Sequence, residues 1–149
     1  MCLGIAVPIH EIPEAMIRQH RLVDRIAQRD PGACREIQFR YQHLRRLLPV
    51  YLDGQLRILE WGCRNGTLPA NGWCQNEWIE SGLWQELRPR KATIVAAAAT
   101  DRGRWFHVDE GIQCVVVRNH VYMLTEPATH YYRVMTRADR MPMLIGQTI

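Results

Sequence analysis

The residue best placed by type and position to do chemistry is Cys2. Once Met1 is removed, Cys2 carries an α-amine and a thiol on neighbouring carbons, with ordinary pKa values of about 8 and about 8.5. That pair suits aldehydes. The amine condenses with the carbonyl to an imine, and the thiol then adds to the same carbon, closing a five-membered thiazolidine ring. The second step is intramolecular and so strongly favoured. The competing reading of a Met-Cys start is a cysteine that simply opens a buried strand. The common enzyme signatures are absent: the chain has no phosphate-binding glycine loop, no HExxH helix and no nucleophile elbow.

The elements that must hold Cys2 follow from the patterning. Residues 3 to 8 (LGIAVP) read as a buried strand ended by Pro8, which would keep the N-terminus inside the fold. From Ile12 to Arg29 the spacing predicts one principal helix, with Pro13 in its first turn and Asp30-Pro31-Gly32 as its stop. Its Arg18, Arg21, Arg25 and Arg29 would form a stripe, read first as a solvated face partly paired with Glu14 and second as a surface that tracks phosphates. QFRYQ and PVYLDGQLRILEWG predict strands, the latter a hairpin about Asp53-Gly54. Cys63 to Gln75 reads as loop, and Trp78 to Leu87 as a short helix stopped by Pro89. ATIVAAAAT, RWFHV, IQCVVV, HVYMLTE and HYYRVMT read as further strands, with Ala96 to Ala99 ambiguous between helix and strand. The expected fold is one α+β domain over residues 1–149, with a mostly antiparallel, barrel-like β-sheet core, a principal N-terminal helix and short helices.

Composition bounds the partners. At 149 residues, 47% apolar and 23% charged, the chain is long enough to bury a core without disulfide or metal staples and is not mainly disordered. Lys and Arg number 19, giving a formal charge of +4, and Lys91 is the only lysine. A guanidinium grips phosphate through two parallel hydrogen bonds, which an ammonium cannot do; an arginine-preferring genome would give the same count. The five cysteines (Cys2, Cys34, Cys63, Cys74 and Cys114) include no CxxC pair, so neither a disulfide framework nor a zinc site is expected, and no cofactor is called for. The start MCLGIAVP lacks a basic n-region and is too short to span a bilayer. A cytoplasmic protein without membrane attachment is the expectation.

Several short stretches occur in an order that resembles one family: the Cys2 start, Arg40-Tyr41-Gln42, Trp61-Gly62, Asn76-Glu77-Trp78-Ile79-Glu80-Ser81, Trp105-Phe106-His107 and Ala138-Asp139-Arg140-Met141-Pro142. Together, over nearly the whole chain, they resemble the SRAP family, the SOS response-associated peptidases that process abasic sites, in which these stretches read MCGR, RYN, WGL, NARxET, GFYEW and HxRMP. The resemblance implies loss of Met1 and a covalent thiazolidine between Cys2 and the opened deoxyribose of an abasic site in single-stranded DNA. It assigns Cys2 as nucleophile and Asn76 as the amide beside the reacting sugar, where it would hold a developing oxyanion or the sugar hydroxyls. The family's glutamate falls on His107, a side chain able to transfer protons near neutral pH with Asp109 and Glu110 close in sequence. Its histidine falls on Ala138. Arg40 and Arg140 would face DNA phosphates. Trp78 replaces a family arginine with a surface on which an unpaired base can stack, worth about 1–3 kcal/mol. Trp61 and Trp105, in strand patterns, read as core.

Three activities follow from that resemblance. One is DNA–protein crosslinking at abasic sites. Another is a DNA-binding or protein-interaction module that has lost crosslinking along with the family's Glu and His. The third is a peptidase activity limited to self-removal of Met1.

Overall fold

A computed structural model describes every residue from Met1 to Ile149. Its strands in chain order are β1 (Gly4–Pro8), β2 (Ile26–Ala27), β3 (Glu36–Arg40), β4 (Leu47–Leu52), β5 (Gln55–Trp61), β6 (Trp73–Gln75), β7 (Arg90–Ile94), β8 (Ala98–Asp101), β9 (Arg104–His107), β10 (Ile112–Val117), β11 (His120–Pro127) and β12 (Arg140–Pro142). The helices are α1 (Glu14–Gln19), α2 (Asn76–Glu80) and α3 (His130–Thr136).

Strands β10, β7, β4, β5 and β11 pair in that order, and β11 returns to β10, closing a five-stranded barrel. All its pairings are antiparallel except β5 with β11, where His120 lies opposite Glu60 and Val121 opposite Trp61. A second, fully antiparallel sheet runs β2-β3-β1-β8-β9. The fold is thus α+β with a mostly antiparallel, barrel-centred core, as the sequence suggests. Alternation along β1 and β3 sends Ile5, Val7, Ile37 and Phe39 inward, where they join barrel residues such as Leu48, Val50, Ile94 and Ile112 in one cluster of 23 buried side chains. The Asp53-Gly54 turn is as expected. Leu52 faces Gln55 across a two-residue loop with φ of 52° and 77°, the mirror-image geometry that matches strand twist. No helix is long and apolar enough to cross a membrane.

Several elements depart from the expected pattern: Trp73–Gln75 at the end of the expected loop is β6, and the helix expected over Trp78 to Leu87 is α2 at Asn76–Glu80, followed by a separate 3-10 turn at Gln85–Leu87. The principal N-terminal helix stops after Gln19, because Leu22 is drawn fully into the core. Leu22 N–H bonds the carbonyl of Ile17 and Arg21 N–H that of Arg18, a Schellman turn in which Arg21 adopts φ 54° without being glycine. Burying a leucine, worth about 1.5–3 kcal/mol, outweighs a left-handed arginine at about 1–2 kcal/mol. The arginine stripe dissolves with the helix. Arg18 pairs with Glu14 on α1, whereas Arg25 and Arg29 lie beyond it beside β2. The stretch HYYRVMT, expected as a strand, is α3, the longest helix. Thr129 Oγ1 accepts the Tyr132 N–H as an N-cap, and Tyr132 and Thr136, four residues apart, supply its buried side. The alanine run divides between structures: Ala96 and Ala97 cross from β7 in the barrel to β8 in the second sheet.

Candidate functional site at the N-terminus

The backbone after Met1 is fastened on three sides. Leu3 N–H donates to the Thr100 carbonyl, Leu3 carbonyl accepts from Tyr41 N–H, and the Trp73 indole N–H donates to the Cys2 carbonyl at 3.1 Å. Trp73 is held in turn by Tyr41 and Trp61, with ring centroids 4.5 and 5.6 Å from its own. Cys2 is consequently 1% exposed, and its thiol donates to the Gly4 carbonyl at 3.4 Å. Burial pushes the thiol up to about 12. These features are those of a cysteine leading into the buried strand β1.

The α-ammonium of Met1 lies 3.3 Å from Oδ1 of Asp101, a carboxylate with no solvent exposure. Its second oxygen accepts a hydrogen bond from the Tyr132 hydroxyl at 2.7 Å, and burial of that phenol raises its pKa. Met1 also lines a small cavity of about 70 Å³ with Trp73, Gln75, Trp78, Thr125 and Arg140. Arg140 is aimed there by a double brace. Its guanidinium makes two hydrogen bonds to Glu77, at 2.6 and 3.0 Å, and another to the Thr125 carbonyl at 2.7 Å. The Arg140 guanidinium holds the Glu77 carboxyl below the usual carboxylate range.

Of the residues singled out in the sequence, the fold brings Trp78 and Arg140 to the cavity that Met1 lines, whereas Cys2 is buried and does not line it. Asn76, first residue of α2, donates instead to Glu80 along the helix at 2.9 Å, and its neighbour Gln75 lines the cavity. His107 is remote. It pairs with Ala98, three positions along β8 from Asp101 and so about 10 Å away, and it bonds Asp109 at 2.7 Å on the surface. Arg40 lies on the outward face of the second sheet, 5.5 Å from the Trp105 ring, which Arg29 covers from 4.5 Å. Trp105 is accordingly not a core residue, whereas Trp61 is. The sequence reading passed over Asp101, Tyr132 and Thr125. Asp101 is the last residue of β8, before the Arg102-Gly103 turn, and nothing in the local sequence reports that its side chain is buried.

A basic face adjoins this region. Arg25, Arg40, Arg45, Arg46 and Arg64 make no ion pair, and Arg46 lies 3.8 Å over the Tyr41 ring. Arg25 Nη1 and Arg46 Nε are buried without any hydrogen-bond partner. Burial and the Arg45 charge lower the pKa values of Arg25 and His20, and burial with Arg25 and Arg40 lowers that of His43. These cations give this face a positive field.

The thiols provide a check on this geometry. Cys34 alone is exposed, so a disulfide reagent at pH 8 is expected to modify one cysteine quickly and the other four only after denaturation. Fast labelling of Cys2 would refute the burial described. Burial also lifts Cys74 to about 12 and Cys114 higher still. Between pH 9 and 12 the unfolded chain loses thiol protons that the folded chain keeps. Stability is then fully present below pH 9 and falls with rising pH, by up to about 1.4 kcal/mol per pH unit for each such thiol. Urea midpoints measured from pH 7 to 11 test the sign.

No protein-family model, no curated protein and no solved structure matches this chain, so its function must be argued from the residues gathered around Met1 and Cys2.

Proposed function

We propose that this chain is a compact, divergent SRAP-type protein of the cytoplasm that captures the aldehyde of abasic sites in single-stranded DNA through Cys2. The observation that carries the proposal is the N-terminal ammonium, seated on the buried Asp101–Tyr132 pair with Trp78 and Arg140 around it. Loss of Met1 transfers the free amine to Cys2 and opens the space that Met1 fills. The amine adds to the sugar aldehyde and expels water to give an imine. The Cys2 thiol then adds to the imine carbon, its proton passing to the nitrogen, so that one water leaves overall. Asp101 pairs with the Met1 ammonium before processing and acts electrostatically on the Cys2 thiol, so it is the candidate to relay these protons once the amine belongs to Cys2. Arg140 offers a cation to a flanking phosphate and Trp78 a face to an unpaired base.

Incubating the processed protein with uracil-containing single-stranded DNA treated with uracil glycosylase is expected to give a heat-stable adduct that Cys2→Ala abolishes. No adduct, or an equal one with Cys2→Ala, overturns the proposal, as does retention of Met1 in the mass of the purified protein. A second reading, a nucleic-acid-binding module without crosslinking, is favoured by the arginines of the basic face that make no ion pair. It predicts binding without an adduct, with affinity falling steeply as salt rises.

A further inference from the structure

A second cluster of reactive side chains lies on the barrel, apart from the N-terminal site. Glu60 is the last residue but one of β5, and His120 is the first of β11. The parallel pairing of β5 with β11 sets them directly side by side, with His120 Nδ1 2.8 Å from Glu60 Oε2. Just after β5, Gly62 turns the chain at φ 77°, and its N–H is fixed to the Val121 carbonyl. A side chain at Gly62 would press on the backbone of Ala70 and Asn71, at 3.2 Å. The turn brings the buried Cys63 back over the pair, so that a carboxylate oxygen, a thiol sulfur and an imidazole nitrogen all lie within 4.8 Å of one another.

We propose that Glu60, Cys63 and His120 bind a zinc-like divalent cation. One thiolate, one imidazole and one carboxylate form a donor set suited to such an ion, with a fourth position left over. Two further oxygens are close by: the Gly62 carbonyl, 2.8 Å from His120 Nδ1, and Asn65 Oδ1, which accepts the Cys63 thiol proton at 2.9 Å. Asn65 is itself fixed by Thr67, whose N–H and hydroxyl both donate to the same oxygen.

Binding requires the three donors, which lie within 4.8 Å of one another, to adjust around the ion. Ligand atoms on a tetrahedral zinc are about 3.3–3.6 Å apart. The Glu60–His120 contact must widen by roughly half an ångström, and the Glu60 side chain, 44% exposed, is free to make that movement. In the metal-free site a proton on Nδ1 bridges to two acceptors, Glu60 and the Gly62 carbonyl. Metal binding replaces it: the imidazole proton moves to Nε2 and the Cys63 thiol proton leaves to solvent. Sequence spacing does not show this site, because motif rules look for paired cysteines and this cluster contains one, joined to a histidine far along the chain.

The test is titration of the reduced full chain with Zn²⁺ against a chromophoric chelator, and with Co²⁺ as a spectroscopic probe. One Co²⁺ per chain is expected, with a near-ultraviolet thiolate-to-cobalt band and release of about one proton. Cys63→Ser should abolish the band, and His120→Gln and Glu60→Gln should each weaken Zn²⁺ binding at least tenfold. Cys34→Ser, at the exposed cysteine, should change nothing. Absence of the thiolate band in the unmodified protein overturns the proposal. So does a band that survives Cys63→Ser, or unaltered affinity in the Glu60 and His120 variants if Cys63→Ser does not fold.

Discussion

Gly72→Ala is expected to destabilise the fold by about 3 kcal/mol, a large effect for one methyl group. The reason is space. A β-carbon at residue 72 would stand 2.5 Å from Cδ1 of Trp61 and 2.9 Å from Cε1 of Tyr41, well inside van der Waals contact. Trp61 has nowhere to go: it is 1% exposed, its indole N–H is tied to the Gly72 carbonyl at 2.8 Å, and it packs edge-on to Tyr41 and Trp73. The Gly72 carbonyl also accepts Met123 N–H from β11, so a shift of residue 72 disturbs the barrel too. The same displacement would loosen Trp73 and with it the bond to the Cys2 carbonyl. Urea unfolding followed by tryptophan emission measures the loss and should show red-shifted native fluorescence. Gly32→Ala, a substitution into open space at φ 82°, is the control and should cost only about 1–2 kcal/mol. A Gly72→Ala protein as stable as that control would mean that the aromatic cluster does not clamp the N-terminal segment.

The reach of sequence reasoning here depended on whether a signal was local. Strand β1 and the Asp53-Gly54 hairpin were legible because a short apolar run and a two-residue turn contain all the information needed. The helix over residues 12 to 29 was overextended because its stop has no glycine. What ends it is the burial of Leu22, a tertiary event that forces Arg21 into a left-handed conformation. The tyrosines and valine of α3 favour strands, so the pattern alone predicts a strand there. The Thr129 cap and the buried side of Tyr132 and Thr136 were signals of the opposite kind that the composition masked. In the site, Cys2, Trp78 and Arg140 were legible by residue type. Their companions were not: Arg140 is braced by Glu77 from 63 positions away, and Asp101 reaches the N-terminus across 100. Only sheet order brings such pairs together.

Asp101→Ala should have the next largest effect, on stability and on the proposed chemistry separately. The side chain is fully buried between two donors, the Met1 ammonium and the Tyr132 hydroxyl, and a carboxylate can only accept. Alanine would leave a buried phenol and a half-buried ammonium without their partner, a loss of about 2–3 kcal/mol. Asn keeps an oxygen for Tyr132 but turns an N–H₂ toward the ammonium, so Asp101→Asn should fall between the two. Tyr132→Phe removes one donor and should cost about 1 kcal/mol. Because the two groups touch, the double variant should be less damaged than the sum of the singles, with a coupling of about 1 kcal/mol in chemical denaturation. The chemical readout is distinct. If Asp101 relays protons for the terminal amine, Asp101→Asn should slow adduct formation at least tenfold while leaving affinity for single-stranded DNA unchanged, and should flatten the pH dependence of the rate. A variant that loses stability yet forms adduct at the normal rate, with an unaltered pH profile, would show that Asp101 anchors the N-terminus without taking part in the reaction. Crosslinking by Cys2 would then need another proton carrier, and the next candidate by position is solvent reaching the cavity beside Arg140 and Thr125.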